Sequence, residues 1–290
     1  MYKEHQRCLI SGSHEIKPLK GFEAHYLVKS KPVGFVFCSR VPTDDELEKH
    51  YNKYSRDDYF SPVTRARYIE LLKYLEPYRK NGRILDVGCG IGFFLEVARE
   101  MGWDVYGTEY TENAISKCLQ RGIKMKKGRL DSQWWPDGYF DVITSFEVIE
   151  HINDPIDEVS KINHLLRTGG IFYVTTPNFN AIERVLLKSK YSIIQYPEHL
   201  SYYTPKTLDF LLSNSGFRKI KIMTTGISVT RIKMAFGIKN HDFGMSTSSD
   251  EHLRSIAEKN RFVKAAKILI NLILTFLGIG NAMKAIYVKN

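Results

Sequence analysis

Three glycines alternate with other residues at positions 88, 90 and 92, directly after an apolar run. Glycine has no Cβ, so it permits a sharp turn from a strand into a helix and lets a ligand lie against bare backbone. The first amide groups of the following helix have no partner within that helix and can donate to the ligand. The segment Asp86-x-Gly88-x-Gly90-x-Gly92 therefore predicts a site for a nucleotide-sized cofactor.

The spacing of the glycines distinguishes two classes of cofactor. Dinucleotide-binding proteins carry the pattern G-x-G-x-x-G and place a pyrophosphate at the end of the helix. Here Gly92 follows Gly90 after one residue instead of two. A dehydrogenase is therefore the least favoured enzyme class for this chain.

A carboxylate stands at the end of the next predicted strand. Glu109 lies 17 positions after Gly92 and is followed by Tyr110. A carboxylate at this place can accept hydrogen bonds from both hydroxyls of a ribose. A single Glu at a strand end is often only solvated, but its coincidence with the glycine motif favours a ligand role.

The remaining motifs follow in order along the chain. They are Gly128-Arg129-Leu130-Asp131, the segments 136–143 and 145–155, Thr168-Gly169-Gly170-Ile171 and Thr175-Thr176-Pro177-Asn178. Together with the glycine segment, they resemble the motifs of class I S-adenosylmethionine-dependent methyltransferases, over residues 83–223. The resemblance implies that S-adenosylmethionine is the cofactor, with its amino-acid end over the glycines.

The resemblance also implies roles for individual residues. Glu109 would bind the ribose hydroxyls, and Tyr110 would face the adenine. Asp131 would lie near the adenine amino group, and the backbone at Phe146 would face the methionine part of the cofactor. The full set of predicted cofactor-binding residues is Asp86, Gly88, Gly90, Gly92, Glu109, Tyr110, Asp131 and Phe146.

Residues 191–205 concentrate side chains that could act on a methyl acceptor. Methyl transfer from a sulfonium requires mainly that the acceptor is positioned and loses its proton. Histidine titrates near neutral pH, so we predict His199 as the catalytic base, with Glu198 and Tyr196 beside it. This segment resembles one in sugar C-methyltransferases, where Tyr, Glu and His line the acceptor pocket. The alternative is that His199 and Glu198 only fix a loop through hydrogen bonds.

A second histidine, His151, follows Glu147 and Glu150 at helix-like spacing. One histidine with two carboxylates could bind a divalent ion, but the pair His-x-x-x-His is absent. The resemblance implies a structural role or a place on the cofactor side for His151. We therefore predict no metal site.

The elements that must position these residues alternate in type from residue 83 onward. Short apolar runs and amphipathic segments follow each other, which is typical of strand–helix units in a parallel sheet. We predict an α/β fold with a Rossmann-like, seven-stranded, mostly parallel sheet and helices on both faces. The predicted strands are 83–87, 104–108, 123–126, 141–146, 171–176, 218–223 and 282–288, and the predicted helices include 92–101, 112–121, 157–166 and 205–214.

Five regions follow from this pattern. Residues 1–42 form a small loop-rich module, 43–80 a helical lead-in with a capping box at Thr43, 81–227 the cofactor-binding core, 228–280 an inserted cap, and 281–290 the last strand. The first region resembles the zinc ribbon of related bacterial methyltransferases. Only Cys8 of the four expected thiolates remains, so we predict a metal-free relic of that ribbon.

Charge and hydrophobicity limit which classes of binding partner are predicted. The net charge is +10, but the basic residues are scattered, so a nucleic-acid partner is not predicted. The N-terminus lacks an apolar signal segment, and the longest apolar run, 268–279, is too short to span a bilayer. We predict a cytoplasmic protein. Burial of residues 262–279 and peripheral contact with the inner face of the membrane are both open.

The predicted function is methyl transfer from S-adenosylmethionine to a hydroxyl of a small molecule. Resemblance to enzymes of bacterial surface-polysaccharide and quinone pathways points to a saccharide or a lipid-linked precursor. One alternative is a carbon methyltransferase that acts on a nucleotide-linked keto-sugar. Another is a non-catalytic, membrane-associated protein that binds S-adenosylmethionine. Acceptor identity, the methylated atom and the oligomeric state are left open by the sequence.

Overall fold

Eleven strands and seven helices are seen in the computed structural model over the residues that it describes, 3–43, 46, 59–227 and 261–290. The strands are β1 (Ile16–Pro18), β2 (Leu27–Ser30), β3 (Val36–Cys38), β4 (Arg83–Val87), β5 (Asp104–Glu109), β6 (Lys124–Lys127), β7 (Phe140–Phe146), β8 (Leu166–Pro177), β9 (Ser201–Tyr202), β10 (Phe217–Thr225) and β11 (Ala282–Lys289). The helices are α1 (Pro62–Leu75), α2 (Phe93–Glu100), α3 (Glu112–Gln120), α4 (Pro155–Leu165), α5 (Ile182–Leu187), α6 (Pro205–Ser213) and α7 (Arg261–Leu277). Short 3-10 turns connect several of them.

The central sheet has seven strands in the order β10-β11-β8-β7-β4-β5-β6. Neighbouring strands from β8 to β6 run parallel, whereas β11 is antiparallel to both β8 and β10. Parallel strands need crossover helices, which cover the sheet on both faces. The predicted fold class is confirmed.

Successive residues of the inner strands enter two different apolar layers. Ile84 belongs to one buried cluster and Leu85 to the other. Val142 and Ile143 divide in the same way in the neighbouring strand. Side chains alternate between the faces of a strand, so a continuous apolar run fills both layers.

Asp141 in β7 connects the sheet to the loop before β4. Its Oδ2 accepts hydrogen bonds from the backbone amides of Lys80, Asn81 and Gly82 at 2.9, 2.6 and 2.7 Å. Its Oδ1 accepts one from Nε of Arg167 at 2.6 Å. The carboxylate therefore fixes the start of the strand that carries the glycine motif.

The predicted bounds of the helix at 157–166 are wrong at both ends. The helix expected at 157–166 is α4, which begins at Pro155 after Asp154, whose side chain accepts from the amide of Asp157 at 3.1 Å. It ends at Leu165, and Leu166 already pairs with Phe140 as part of β8. Gly169, which follows the predicted helix, therefore lies inside a strand. The reason is tertiary: pairing with β7 outweighs the local helical pattern.

The N-terminal region shares its sheet and its core with the rest of the chain. The smaller sheet has the order β1-β2-β3-β9, so a strand from residues 201–202 completes it. Phe35 packs against Tyr203, with ring centroids 5.1 Å apart. Cys8 and Cys38 are buried free thiols in this region. The predicted capping-box contacts between Thr43 and Glu46 are present, but the rest of that helix lies outside the described residues.

Helix α7 packs on the edge strand β10. Leu274 is buried, the amide of Thr224 donates to Oγ1 of Thr275 at 3.2 Å, and Oγ1 of Thr224 donates to the Leu274 carbonyl at 2.7 Å. Among the described residues, no helix is long and apolar enough to cross a membrane. Residues 228–260, which make up most of the predicted cap, lie outside the described residues.

Candidate active site

The glycine turn between β4 and α2 requires glycine at its first and third positions. Gly88, Gly90 and Gly92 have φ values of +68°, +56° and +83°, in the left-handed region. A Cβ on Gly88 would lie 2.7 Å from Cγ2 of Val148, and a Cβ on Gly92 would lie 2.5 Å from Cδ1 of Ile123. Any larger residue would therefore combine backbone strain with overlap.

The predicted ribose-binding acid is joined to this turn. The amide of Gly90 donates to Oε2 of Glu109 at 3.0 Å. The amides of Tyr110 and Thr111 donate to Oε1 of the same carboxylate at 2.8 and 3.2 Å. Glu109 is half-buried. The structure thus brings the motifs after β4 and β5 together, as the sequence predicted.

Asp86 stabilises the end of the strand that leads into the turn. Its side chain is 3% exposed, and Oδ1 accepts a hydrogen bond from Oγ1 of Thr144 at 2.7 Å. Thr144 lies on β7, which pairs with β4 next to the motif. This contact keeps the carboxyl end of β4 against β7.

Gly107 is a further close-approach position, which the sequence interpretation missed. It lies within β5, and a Cβ there would be 2.7 Å from Sγ of Cys89 and 2.9 Å from Sδ of Met125. Glycine weakens a strand, so a glycine inside an apolar strand pattern is itself a signal of close approach. Its absent side chain lets the glycine turn sit directly on β5.

The side chains of the three remaining predicted cofactor-binding residues differ in their surroundings. Tyr110 is 53% exposed, and Asp131 uses Oδ1 to accept from the amide of Gln133 at 2.9 Å. Phe146, at the end of β7, packs edge-on against Phe94 of α2 with centroids 4.9 Å apart. Asp131 therefore shapes its own turn, and Phe146 contributes to an aromatic wall.

That aromatic wall includes two tyrosines that the sequence interpretation also missed. The ring of Tyr68 on α1 lies 5.9 Å from that of Phe146, and the ring of Tyr173 on β8 lies 5.5 Å from it. Tyr68 is also edge-on to Phe94 at 5.3 Å. Aromatic faces attract cations, which is the property that a ligand with a positively charged sulfur would need here.

A polar cluster that contains both candidate histidines lies next to the glycine turn. Val148, which would overlap with a Cβ on Gly88, is followed by a 3-10 turn at Ile149–His151. The ring of His151 lies 4.8 Å from that of His199, at an interplanar angle of 63°. The structure therefore brings the predicted base His199 next to the second candidate histidine.

Both histidines have a ring nitrogen on a backbone carbonyl. Nδ1 of His151 lies 2.5 Å from the carbonyl oxygen of Glu198, and Nδ1 of His199 lies 2.6 Å from that of Ile193. His199 is 9% exposed. These contacts hold the two rings in fixed orientations and place the proton of each neutral ring on Nδ1.

Glu150 is the most deeply buried acid of this cluster, at 2% exposure. Burial raises its pKa well above the ordinary value, and the charges of Glu147 and Glu198 raise it further. Oε2 accepts a hydrogen bond from Oγ1 of Thr176 at 2.9 Å. Oε1 is buried and has no hydrogen-bond partner among the described residues.

The third predicted acceptor residue, Tyr196, contacts the N-terminal region. Its hydroxyl donates to Oε2 of Glu46 at 3.2 Å, and its ring lies edge-on to Tyr26 at 5.3 Å. The guanidinium of Arg40 lies 5.1 Å from the centroid of each ring. Burial and the charge of Glu46 raise the pKa of Tyr196 to about 12. This hydroxyl therefore stays protonated at neutral pH.

Comparison with known proteins gives one family match. The profile described as "Methyltransferase domain" matches residues 60–222, more than half of the chain. This range contains the glycine turn, Glu109, the aromatic wall and both histidines.

Two relatives are 31% identical to parts of this chain. One is named "Probable S-adenosylmethionine-dependent methyltransferase", from Mycolicibacterium smegmatis, over 143 residues that cover 48% of this chain and 54% of that protein. The other is "Ubiquinone biosynthesis O-methyltransferase" from Roseobacter denitrificans, over 157 residues that cover 52% of this chain and 60% of that protein. The matched region thus spans little more than half the length of these relatives.

Solved structures share the fold at lower identity. A SAM-dependent methyltransferase from Archaeoglobus fulgidus has a TM-score of 0.53 and 22% identity, covering 85% of this chain and 100% of that one. Phosphoethanolamine N-methyltransferase 2 from Haemonchus contortus, in complex with S-adenosyl-L-methionine, has a TM-score of 0.51 and 19% identity, covering 80% of this chain and 54% of that one. At these identities the likeness concerns the fold.

Proposed function

Since the chain belongs to the methyltransferase-domain family, we propose that it transfers a methyl group from S-adenosylmethionine to a hydroxyl of a small molecule. Family membership confirms the predicted enzyme class and the predicted methyl donor. The acceptor and the roles of individual residues are the proposed part.

The observation that carries this proposal is the hydrogen bond between the glycine turn and Glu109. It places a carboxylate beside backbone from which side chains are excluded by overlap at Gly88 and Gly92. A nucleoside that lies along this turn can reach the acid with its ribose hydroxyls. We assign cofactor binding to the residues predicted from sequence, Asp86, Gly88, Gly90, Gly92, Glu109, Tyr110, Asp131 and Phe146.

Oxygen is the proposed methyl acceptor. The relative from Roseobacter denitrificans is named an O-methyltransferase, which supports a hydroxyl over a carbon or nitrogen. S-adenosylmethionine supplies an activated methyl group, so the protein has to orient the hydroxyl and let its proton leave. We assign the acceptor side to His199, Glu198 and Tyr196, with Tyr196 connecting this side to Glu46.

A lipid-linked precursor is the first acceptor to test, and a saccharide is the second. The first choice is supported by an apolar surface, which we define as the exposed apolar side chains of α5 and α7. Each of these side chains is at least 50% exposed: Val185, Leu186, Ile268, Leu269, Ile270, Leu272, Ile273, Phe276 and Leu277. Patches of this kind mark contact sites in soluble proteins.

The two helices that carry the apolar surface meet at one end. The amide of Ile182, at the start of α5, donates to the carbonyl of Ile279 just after α7, at 3.1 Å. The exposed cations Lys188 and Lys190 follow α5 directly. Apolar side chains next to lysines favour an anionic lipid surface. We propose peripheral membrane contact here, which would bring the enzyme to a lipid-linked acceptor.

The test of the function has two stages. Calorimetry with S-adenosylmethionine and with NAD checks that the full chain binds only the former. Tritiated S-adenosylmethionine is then incubated with the protein and with lipid and aqueous fractions of a bacterial lysate. A labelled product with a methyl ether is expected. A label on carbon would support a carbon methyltransferase, and cofactor binding without labelling of any fraction would contradict the proposed transfer.

A further inference from the structure

Two histidines and one glutamate converge beside the glycine turn, although they come from distant parts of the chain. Glu150 and His151 lie in the 3-10 turn after β7, and His199 lies just before β9. One potential ligand atom from each residue lies within 4.8 Å of the other two. Donors about 2.0 to 2.2 Å from one ion lie about 3 to 4 Å from one another, so these three atoms need to approach each other by only about 1 Å to share an ion.

The hydrogen bonds of the histidines suit metal ligation. A metal-binding imidazole usually donates its other N–H to a carbonyl or a carboxylate, which fixes its tautomer and its orientation. His151 and His199 both place Nδ1 on a backbone carbonyl, at 2.5 and 2.6 Å. The lone pair of each ring is then on Nε2, the nitrogen that a metal would bind.

Glu150 supplies an independent observation. A buried carboxylate oxygen normally has a hydrogen-bond partner, yet Oε1 of Glu150 has none among the described residues. Thr176 holds the other oxygen and so limits rotation of the carboxylate. A cavity of about 10 Å³ is lined by Glu150, Asn178 and His199, among others. This volume is about that of one water molecule or one small ion.

We propose that Glu150, His151 and His199 bind a divalent first-row transition cation, which in turn binds the hydroxyl of the methyl acceptor. Two imidazoles and one carboxylate suit Mn²⁺, Fe²⁺, Co²⁺ or Zn²⁺ better than Mg²⁺, which prefers oxygen ligands alone. Three protein ligands leave coordination positions open for the acceptor. His199 is then a metal ligand and not the base that the sequence predicted.

The position of the cluster fits this role. Val148 lies against Gly88 of the cofactor turn, and Glu150 follows it by two residues. A cation held by Glu150 would therefore lie next to the segment that packs against the cofactor turn. The second half of the proposal, acceptor binding, rests on the proposed function.

The chemistry balances without an added oxidant or reductant. Binding of the hydroxyl oxygen to the cation lowers the pKa of the hydroxyl, and its proton is released to solvent. An oxygen lone pair forms the new O–CH₃ bond. The C–S bond breaks at the same time, and its electron pair stays on sulfur, which becomes a neutral thioether.

Direct metal titration of the full-length protein tests the first half. Protein stripped with EDTA and dialysed is titrated with Mn²⁺, Zn²⁺ and Mg²⁺ by calorimetry, and with Co²⁺ by visible absorption. We expect one site per chain for the transition cations, at least about 10-fold tighter than for Mg²⁺. Lack of a site for every transition cation would overturn the proposal. A site as tight for Mg²⁺ would overturn the assigned donor set.

Variants identify the ligands. Glu150→Gln and His199→Gln should each weaken Co²⁺ binding by at least about 10- to 100-fold, the range that loss of a supporting interaction around a metal already causes. The matched control is His164→Gln, because His164 is half exposed and lies 3.5 Å from Asp137, in another region. Unchanged Co²⁺ spectra in both ligand variants would overturn the assignment.

S-adenosylmethionine binding separates this proposal from the proposed function. It should be retained in all three variants, which also shows that they are folded. If the wild-type protein binds the cation but not the cofactor, the proposed function fails and the metal site stands. If it binds the cofactor and transfers methyl groups equally well with and without EDTA, the metal proposal fails and the function stands.

Discussion

The backbone amide of Gly90 donates a hydrogen bond to Oε2 of Glu109, 3.0 Å away, so the turn after β4 and the acid at the end of β5 form one unit. The two strands are parallel neighbours, and their pairing runs from Arg83 with Asp104 to Val87 with Thr108. The carboxylate also accepts from the amides of Tyr110 and Thr111 through its other oxygen. Backbone donors thus fix the orientation of the Glu109 carboxylate, as its proposed role at the ribose hydroxyls requires.

Loss of this acid should weaken cofactor binding. We expect Glu109→Ala to reduce the affinity for S-adenosylmethionine by about 1 to 3 kcal/mol, because a charged hydrogen-bond acceptor is removed. Calorimetry measures the change. Glu112→Ala, in the same region but exposed and paired with Lys127, is the control and should leave the affinity unchanged. Equal affinities for all three proteins would exclude a ribose role for Glu109.

The destabilisation caused by steric overlap can be separated from that caused by backbone strain if Gly88 is compared with Gly12. Gly88 and Gly12 share a φ of +68°, but a Cβ on Gly12 meets no atom within 4 Å. Gly12→Ala should lower the free energy of unfolding by about 1 to 2 kcal/mol, because alanine is strained in a left-handed backbone. Gly88→Ala should lower it by about 1 to 3 kcal/mol more, because the new Cβ also overlaps with Val148. Chemical denaturation measures both.

A second substitution checks the cause of that difference. Val148→Ala removes the methyl groups that the new Cβ would meet. Combined with Gly88→Ala, it should return part of the lost free energy of unfolding, beyond the sum of the single effects. Strict additivity would show that Val148 is not the source of the cost.

Asp141 should make the free energy of unfolding depend on pH in the acid range. Burial raises its pKa, but Arg167 and the amides of Lys80, Asn81 and Gly82 outweigh burial and hold the pKa below its usual range. A carboxylate with a lowered folded-state pKa stabilises the fold above its unfolded pKa, about 3.9, and loses that contribution as pH falls through the folded pKa.

The variant Asp141→Asn tests this contribution. It should lower the free energy of unfolding at pH 7 by about 3 kcal/mol, since Arg167 loses its buried partner. The difference from wild type should shrink as the pH falls below about 4, where the unfolded-state carboxyl becomes protonated. Denaturation curves between neutral and acid pH measure it. A difference that is constant with pH would contradict the assigned charge effect.

The apolar surface should bind anionic vesicles. Leu272→Glu places a charge on it and should weaken flotation with phosphatidylglycerol vesicles by at least about 10-fold, because burial of one leucine is worth about 1.5 to 3 kcal/mol. Leu119→Glu is matched in exposure, 57% against 61%, but lies on α3. It should float like wild type. Equal flotation of both variants would place the membrane contact elsewhere or exclude it.

Much of the fold was predictable because the signals are local. Apolar runs mark β4 and β7, and glycines mark the ends of α2 and α3 at Gly102 and Gly122. The glycine turn was recognisable for the same reason, since a positive φ and a close approach both demand the smallest residue. Glu109 followed from its place at the end of a strand, because parallel strands end at one edge of the sheet.

The boundary of α4 and the aromatic wall were not predictable in this way. Pairing of Leu166 with Phe140 converts a residue with a helical pattern into the start of β8. Tyr68 reaches Phe146 from a helix that precedes the core in the chain. Such contacts depend on which surfaces meet, and spacing along the chain does not determine that.

The sequence alone therefore determined the elements, the glycine turn and the family of this protein, since these depend on backbone conformation and on the order of neighbouring motifs. Only the tertiary structure decided what surrounds the residues that we propose for the acceptor side. His151 and His199 are far apart in the chain, and their rings meet because the turn after β7 and the segment before β9 pack together through the carbonyl of Glu198. The same packing buries Glu150 next to them and brings the three residues together as one candidate metal site.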